Sequence, residues 1–288
     1  MTDLIPNYSD VQQHYDLSNE FFFLFLDQNK VYSCAYFDPP GLSLESAQLA
    51  KIDLSLSKLH LSAGQTLLDV GCGWGATIIR AAERYGVRAI GLTLSRKQNE
   101  YCRNIIAERN LQDYVEVRLQ GWEEFDKPVD RVVSIGAFEH FGSARYSDFY
   151  SRMSRIMPAD GRMLLHTIGI RSSAELSKSR TRSITREDVH FARFMKSVIF
   201  PGGELPRLAE IPGQAAAAGF SLELEQSLQL HYAWTLDHWA ENLRSQRLRA
   251  IEVTSEETFE IYMRYLVGCA DAFRARFIDV AQFTLTMS

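Results

Sequence analysis

Between residues 64 and 168 the chain repeats one unit, a short apolar run followed by a longer stretch of helical spacing. The runs are TLLDVG (66–71), RAIGLTL (88–94), VEVRLQG (115–121), DRVVSIGAF (130–138) and RMLLHTI (162–168), and residues 75–85 and 95–109 are the clearest helical stretches. Parallel strands need a long crossover, usually a helix, and strands covered on both faces read as continuous apolar runs. The pattern therefore predicts βαβ units on a mostly parallel sheet, an α/β fold. Such a sheet binds ligands beyond the carboxyl ends of its strands, so chemistry is expected just after each run.

The flanks differ. Residues 8–30 predict a helix, with Ser9 or Asp10 as its cap and Val11, Tyr15, Phe22 and Leu26 at helical spacing. Asp38-Pro39-Pro40-Gly41 marks a turn. Residues 43–60 form an amphipathic pattern, with Ser43 and Ala47 at its start and Ile52, Leu56 and Leu59 on one face. Residues 1–60 thus read as an N-terminal helical cap. Residues 169–210 break the alternation: a polar, basic stretch leads to HFARFMKSVIF and then to the turn PGGELP. This segment is expected to be an insertion or lid over the ligand edge of the sheet. Residues 220–230 read as a strand, and 232–247 and 255–274 as helices. A chain of 288 residues that is 46% hydrophobic and 23% charged can close all of this, 1–288, into a single domain.

Composition narrows the function. A net charge of -5 argues against nucleic acid as a partner, whose binders carry a basic footprint. Cys34, Cys72, Cys102 and Cys269 lie far apart without a CxxC pair, which fits reduced thiols and predicts no metal site. The N-terminus has no basic segment followed by an apolar one, and the longest apolar run, 21–26, is far short of the roughly 20 residues that span a bilayer. The expectation is a soluble, cytoplasmic protein.

LLDVGCGWG (67–75) carries a strand directly into a glycine turn and then a helix. Gly71 and Gly73 let the backbone turn sharply and a ligand approach, and the helix start offers unpaired N–H groups. A Cβ at Gly73 is expected to clash with that ligand. The Asp69-x-Gly71-x-Gly73 spelling, with an acid inside the strand end, resembles the first motif of S-adenosylmethionine-dependent methyltransferases more than a dinucleotide turn. Where many such enzymes hold the ribose with an acid, GLTLSRKQ (91–98) has none, so Thr93 and Gln98 are expected to supply the hydrogen bonds. Trp122, with Glu123 and Glu124, offers an indole face and an acceptor for the adenine.

HYDLSNEFF, YSCAYF, LLDVGCGWG, GLTLSRKQ, SIGAFEHFG, LLHTI, IFPGG, LHYAWTLDHW and the tail YLVGCADAFR…QFTL together resemble the cyclopropane fatty acid synthases, nearest their mycobacterial mycolic acid methyltransferase branch. The resemblance runs end to end. It implies a seven-stranded Rossmann-like class I methyltransferase sheet with N-terminal helices and a lid insertion, S-adenosylmethionine as donor and a bicarbonate ion in the active site. It implies cofactor contacts at Tyr32, Ser33, Gly71, Gly73, Thr93, Leu94, Gln98 and Trp122, and bicarbonate contacts at Cys34, the Ile135 backbone, Glu139, His166 and Tyr232.

The chemistry so implied is transfer of a methyl group to a double bond of a long unsaturated acyl chain, then proton loss to close a cyclopropane. It needs a dry channel, a base and π faces for a cation, which Tyr15, Tyr32, Phe138, Phe141, Phe200 and Tyr232 can supply. Phe191, Phe194 and Phe200 can line an acyl tunnel. The basic run Arg171, Lys178, Arg180, Arg182 and Arg186 suits an acidic acyl carrier protein, a phospholipid headgroup at the membrane surface or a diphosphate. Taken singly, Glu139 reads as a helix cap, His166 as a core histidine and Cys34 as a small hydrophobe; their placement around one sheet edge favours a site. Two other functions compete: alkylation of a small molecule, such as an allylic diphosphate or an amine, and a lipid-binding module without turnover.

Overall fold

The computed structural model describes Pro6, residues 18–200 and residues 203–288. Its strands are Thr66–Val70 (β1), Arg88–Thr93 (β2), Val115–Leu119 (β3), Arg131–Ile135 (β4), Arg162–Gly169 (β5), Phe220–Ser227 (β6) and Asp279–Met287 (β7). Its α-helices are Asn19–Phe23 (α1), Leu44–Ser57 (α2), Ala76–Tyr85 (α3), Arg96–Glu108 (α4), Tyr146–Ile156 (α5), Ser173–Ser179 (α6), Arg186–Phe194 (α7), Ile211–Ala217 (α8), Gln229–Ser245 (α9), Arg247–Val253 (α10) and Glu256–Arg274 (α11).

The strands form one sheet in the order β3-β2-β1-β4-β5-β7-β6. The first five pair in parallel, and β7 runs antiparallel between β5 and β6. Leu67, Leu68, Val132, Val133, Leu164 and Leu165 are fully buried, as continuous apolar runs under helices require. Strand order reverses between β1 and β4, which opens a crevice at their carboxyl ends. Side-chain caps place the helices: Ser43 accepts from the Ser46 amide, Ser95 from Gln98 and Ser255 from Thr258. The inward face of α2 carries Ile52 and Leu56, with Leu59 just beyond, all fully buried.

The helix expected over 8–30 is cut short: its described part is α1, ending at Phe23, and Ser9, Asp10, Val11 and Tyr15 lie outside the described residues. Apolar spacing continues through Phe25 and Leu26, but Asp27 competes for the backbone. Its carboxylate accepts from the amides of Asn29 (2.9 Å) and Val31 (2.8 Å), a local side-chain turn that ends helical propagation. The segment 31–37 that follows has no regular structure, and its backbone is satisfied by side chains and carbonyls from both sides. Gln48 of α2 donates to the Ser33 carbonyl (2.8 Å), and Tyr36 donates to the Ala47 carbonyl. Ala35 donates to Thr235 Oγ1 (3.0 Å) and Phe37 to His231 Nδ1 (3.1 Å), both on α9. Every such bond replaces water at a buried backbone group.

The break at 169–210 contains two short helices, α6 and α7, and a widened turn at Met195–Ile199 closed by the Phe200 amide on the Met195 carbonyl. No described helix is long and apolar enough to cross a membrane.

Replacing Asp27 with alanine removes the acceptor for two amides next to the site. The Asp27→Ala variant is expected to lose about 2 kcal/mol, read as a lower urea midpoint at unchanged denaturant slope.

Candidate active site

A first cavity, of about 140 Å³, lies at the carboxyl ends of β1, β2 and β4. The glycine turn forms its floor. The amides of Gly71 and Cys72 both donate to the Leu92 carbonyl, which ties the turn to β2. Gly71 has φ +87°, and a Cβ there would stand 2.4 Å from the Ala137 Cβ. At Gly73, by contrast, φ is +54° and a Cβ meets nothing within 4 Å. Gly71 packs on the loop after β4, and Gly73 faces the open cavity that the expected ligand would fill. Tyr32, Ser33, Gly71, Gly73, Thr93, Leu94, Gln98 and Trp122 all line this cavity.

Polar groups here are turned toward the cavity. Thr93 Oγ1 donates to Gln98 Oε1 (2.7 Å), leaving the Gln98 amide nitrogen as a donor to a ribose hydroxyl. Trp122 is wedged by Phe141, Phe149 and the Arg145 guanidinium. Its indole N–H and Glu123 Oε2 are buried without a partner among the described residues, a donor and an acceptor matched to a heteroaromatic amine. Glu123 Oε1 is engaged by Arg145. These orphaned atoms fit the adenosyl group that the sequence implies.

A second, larger cavity of about 370 Å³ adjoins the first, and Tyr32, Ser33, Gly136 and His140 line both. Its walls are mainly apolar and come from the insertion (Phe191, Met195, Phe200) and from α9 and α11. Cys34, Glu139, His166 and Tyr232 meet on this wall. Ile135 lines the first cavity, beside Gly136, whose amide donates to the His166 carbonyl (2.8 Å). His166 sits within β5, not after it, so its side chain reaches the cavity through the face of the sheet.

Burial sets the charge states of this group. It pushes the Glu139 carboxyl up to about 7, against a hydrogen bond from Thr167 Oγ1 (2.9 Å) that favours the anion. The same desolvation raises the Cys34 thiol and the Tyr232 phenol and lowers the His166 imidazole well below its ordinary value. At neutral pH the wall presents a thiol, a phenol and a neutral imidazole beside a carboxyl poised to titrate. Neutral donors with one acceptor suit a small oxyanion that itself carries a proton, as bicarbonate does.

Other expectations need correction. Phe138 is fully buried and stacks on Tyr146 (4.0 Å) beneath the loop, so it offers no face to the second cavity. Phe141 lines the first cavity instead, and Phe194 packs in the core under the Arg264 guanidinium. The basic run is partly neutralised: Arg171 pairs with Asp279 and Glu225, and Arg182 with Asp188. Lys178, Arg180 and Arg186 stay exposed.

Lys51 went unread in the sequence, while Asp69 was read only as part of the glycine-turn motif. Lys51 is buried and donates to Ser33 Oγ (2.8 Å) beneath the junction of the cavities, with burial pulling its pKa down to about 8. Asp69 stands at the end of β1, pushed up to about 7 by burial against the opposing field of Lys51. The signal was a lysine at helical spacing with Ala47 and Ser55, on the inward face of α2 that also buries Gln48. Tyr265 and Cys269, four apart on α11, also line the second cavity, and the Tyr32 hydroxyl donates to that of Tyr265 (3.4 Å).

Sheet order, an antiparallel seventh strand and a glycine turn at the switch point define an S-adenosylmethionine-dependent methyltransferase of the Rossmann-like class. The chain belongs to the mycolic acid cyclopropane synthetase family, which it matches over residues 2–283. It is 51% identical over 286 residues to cyclopropane mycolic acid synthase 1 of Mycobacterium tuberculosis, covering 98% of both chains. The solved cyclopropane synthase MmaA2 from Mycobacterium tuberculosis superposes with a TM-score of 0.96 at 50% identity, over 99% of each chain. Mycolic acid cyclopropane synthase CmaA1, solved with SAH and CTAB, gives 0.94 at 50% identity over 98% of this chain and 99% of that one. These relatives favour neither the small-molecule alkylation nor the binding module without turnover.

Two outcomes follow from this geometry. Gly71→Ala forces both a left-handed φ and the Ala137 contact, so it is expected to abolish S-adenosylmethionine binding by calorimetry, as is Gly73→Val, whose side chain would enter the cavity from a left-handed φ. For Glu139, the folded carboxyl at about 7 against an ordinary 4.5 means that the folded state holds the extra proton. That stability is complete below 4.5 and is lost as pH rises through about 7. Glu139→Gln has no proton to lose, so relative to wild type it is expected to gain on the order of 3 kcal/mol between pH 4.5 and pH 8, by denaturation at each pH.

Proposed function

We propose that the chain methylates a double bond of a long unsaturated acyl chain and closes it to a cyclopropane, with bicarbonate as the base. The observation that carries this reading is the junction of the two cavities: an apolar channel abuts the cofactor crevice at Tyr32, Ser33, Gly136 and His140. In CmaA1 the solved complex holds SAH, the demethylated form of the donor, together with CTAB, a long-alkyl cation. That pairing supports the same division of labour here.

Tyr32, Ser33, Gly71, Gly73, Thr93, Leu94, Gln98 and Trp122 are assigned to the cofactor, which when bound supplies an electrophilic methyl at the neck. The channel would hold the alkene against that methyl, so that its π electrons form the new carbon–carbon bond as the methyl–sulfur bond breaks, the pair staying on the departing thioether and the neighbouring alkene carbon becoming electron-deficient. Tyr32, Phe200 and Tyr232 line the channel and offer faces to that carbon. Cys34, His166, Tyr232 and the Ile135 backbone would hold the bicarbonate, and Glu139 would accept its O–H. The proton of the transferred methyl would pass to the bicarbonate, whose own proton goes on to Glu139, and the C–H pair closes the ring. The apolar walls exclude water, which would otherwise capture the cation.

The single domain 1–288 then divides into the sheet, a cap over 1–60 and a lid over 169–210. Exposed Lys178, Arg180 and Arg186 on the lid are the surface we assign to an acidic acyl carrier protein or to headgroups at the face of a membrane, with the protein itself in the cytoplasm.

Expression in a host rich in unsaturated fatty acids, followed by mass spectrometry of its lipids, tests the reading. A gain of one methylene with loss of the double bond is expected, and Glu139→Gln is expected to lower its rate by about 100-fold or more at unchanged cofactor affinity. Unaltered acyl chains from a protein that binds the cofactor would overturn the alkene assignment.

A further inference from the structure

His166 lines the second cavity, and its Nδ1 turns the other way, to the Gln282 side chain of β7 at 3.2 Å. Where the imidazole carries its proton depends on how that amide is oriented, and two neighbours decide it. Lys58, at the end of α2, places Nζ 2.5 Å from Gln282 Oε1. An ammonium group only donates, so the atom it meets is the amide oxygen. Ser55 donates its hydroxyl proton to the Lys51 carbonyl (2.8 Å), so its oxygen is left to accept, and the atom 3.0 Å from it is the amide nitrogen. Both constraints give the same orientation, which the network fixes without reference to the histidine.

One Gln282 N–H thus goes to Ser55, and the other points at His166 Nδ1. Two protons cannot face each other, so Nδ1 holds a lone pair and the proton of the neutral ring sits on Nε2. Lys51 and Lys58 add their positive fields to burial in keeping the ring neutral.

We propose that Lys58 and Gln282 are positioning residues that hold His166 as its Nε2–H tautomer, so that it presents a hydrogen-bond donor to the anion on the cavity wall. The proposal rests on the site reading above, in which His166 contacts that anion. The opposite tautomer would aim a lone pair at the anion and repel it.

Nitrogen-15 NMR of the full chain labelled at histidine tests this at neutral pH, with the His166 signals identified by their loss in His166→Asn. The expected pattern is a protonated Nε2 and an unprotonated Nδ1. Gln282→Glu offers only acceptors, draws the proton to Nδ1 and reverses the pattern. Its kcat is expected to fall about 10- to 100-fold, the scale on which residues that orient a ligand-holding histidine act, with cofactor affinity unchanged. Lys58→Met frees the amide to turn and gives a mixed pattern with a smaller loss, while Lys58→Arg keeps a donor and restores the wild-type pattern. An Nδ1–H tautomer in the wild type, or a pattern that survives Gln282→Glu, would overturn the relay. A reversed tautomer with unchanged kcat would overturn the positioning role and remove His166 from the anion, while leaving the lipid methylation assay to stand by itself.

Discussion

Loss of water around Cys34, Glu139, His166 and Tyr232 sets what this site can do. In bulk solvent Glu139 is a carboxylate at neutral pH and His166 titrates close by; on the cavity wall one is pushed up to about 7 and the other held neutral. A wall of neutral donors attracts an anion without presenting a competing charge to a developing cation. A carboxyl balanced near neutrality can exchange a proton with what it holds. Both properties come from desolvation, and both cost stability, which the sheet behind them has to supply. Thr167, beside His166 on β5, keeps Glu139 satisfied from within the protein.

That dryness depends on a segment with no secondary structure of its own. Residues 31–37 pass between α2 and α9, bonded to both, and place Tyr32 and Ser33 at the junction of the cavities and Cys34 on the wall of the second. The Asp27 turn aims the segment, and Lys51 fixes the Ser33 hydroxyl from below. A buried ammonium is expensive unless neighbours share its charge. Asp27 does so from the turn before the segment, and Asp69 to a lesser extent from the strand that carries the glycine turn. One lysine thereby couples the floor of the cofactor crevice to the loop that closes it.

How much of this was legible depended on whether the signal was periodic. Strands buried on both faces announced themselves as unbroken apolar runs, and the turn after β1 could be read because glycine is required where φ is positive. Periodicity misread the first helix, since apolar spacing runs on through Leu26 while the Asp27 carboxylate takes the amides that would continue it. It misplaced Phe138, because an aromatic just after a strand serves as readily in the core below as in the cavity above. The basic run looked continuous in one dimension, yet folding brings Asp279 and Glu225 against Arg171. Lys51 and Lys58 carry no motif, and Gln282 opens the QFTL tail without any sign of what it bonds; their partners exist only where α2 and its end cross β5 and β7.

In the proposed reaction the fate of the cation is a contest between proton loss and capture by water, and small displacements decide it. A base held by neutral, directional donors stays where those donors put it, since each bond weakens steeply with angle. Turning one donor into an acceptor, as the wrong His166 tautomer would, loosens the base on the side facing the lipid. Water then has both the space and the time to compete. On the proposed reading, Gln282 and Lys58 act on product choice without touching the lipid, by fixing which way the His166 proton points.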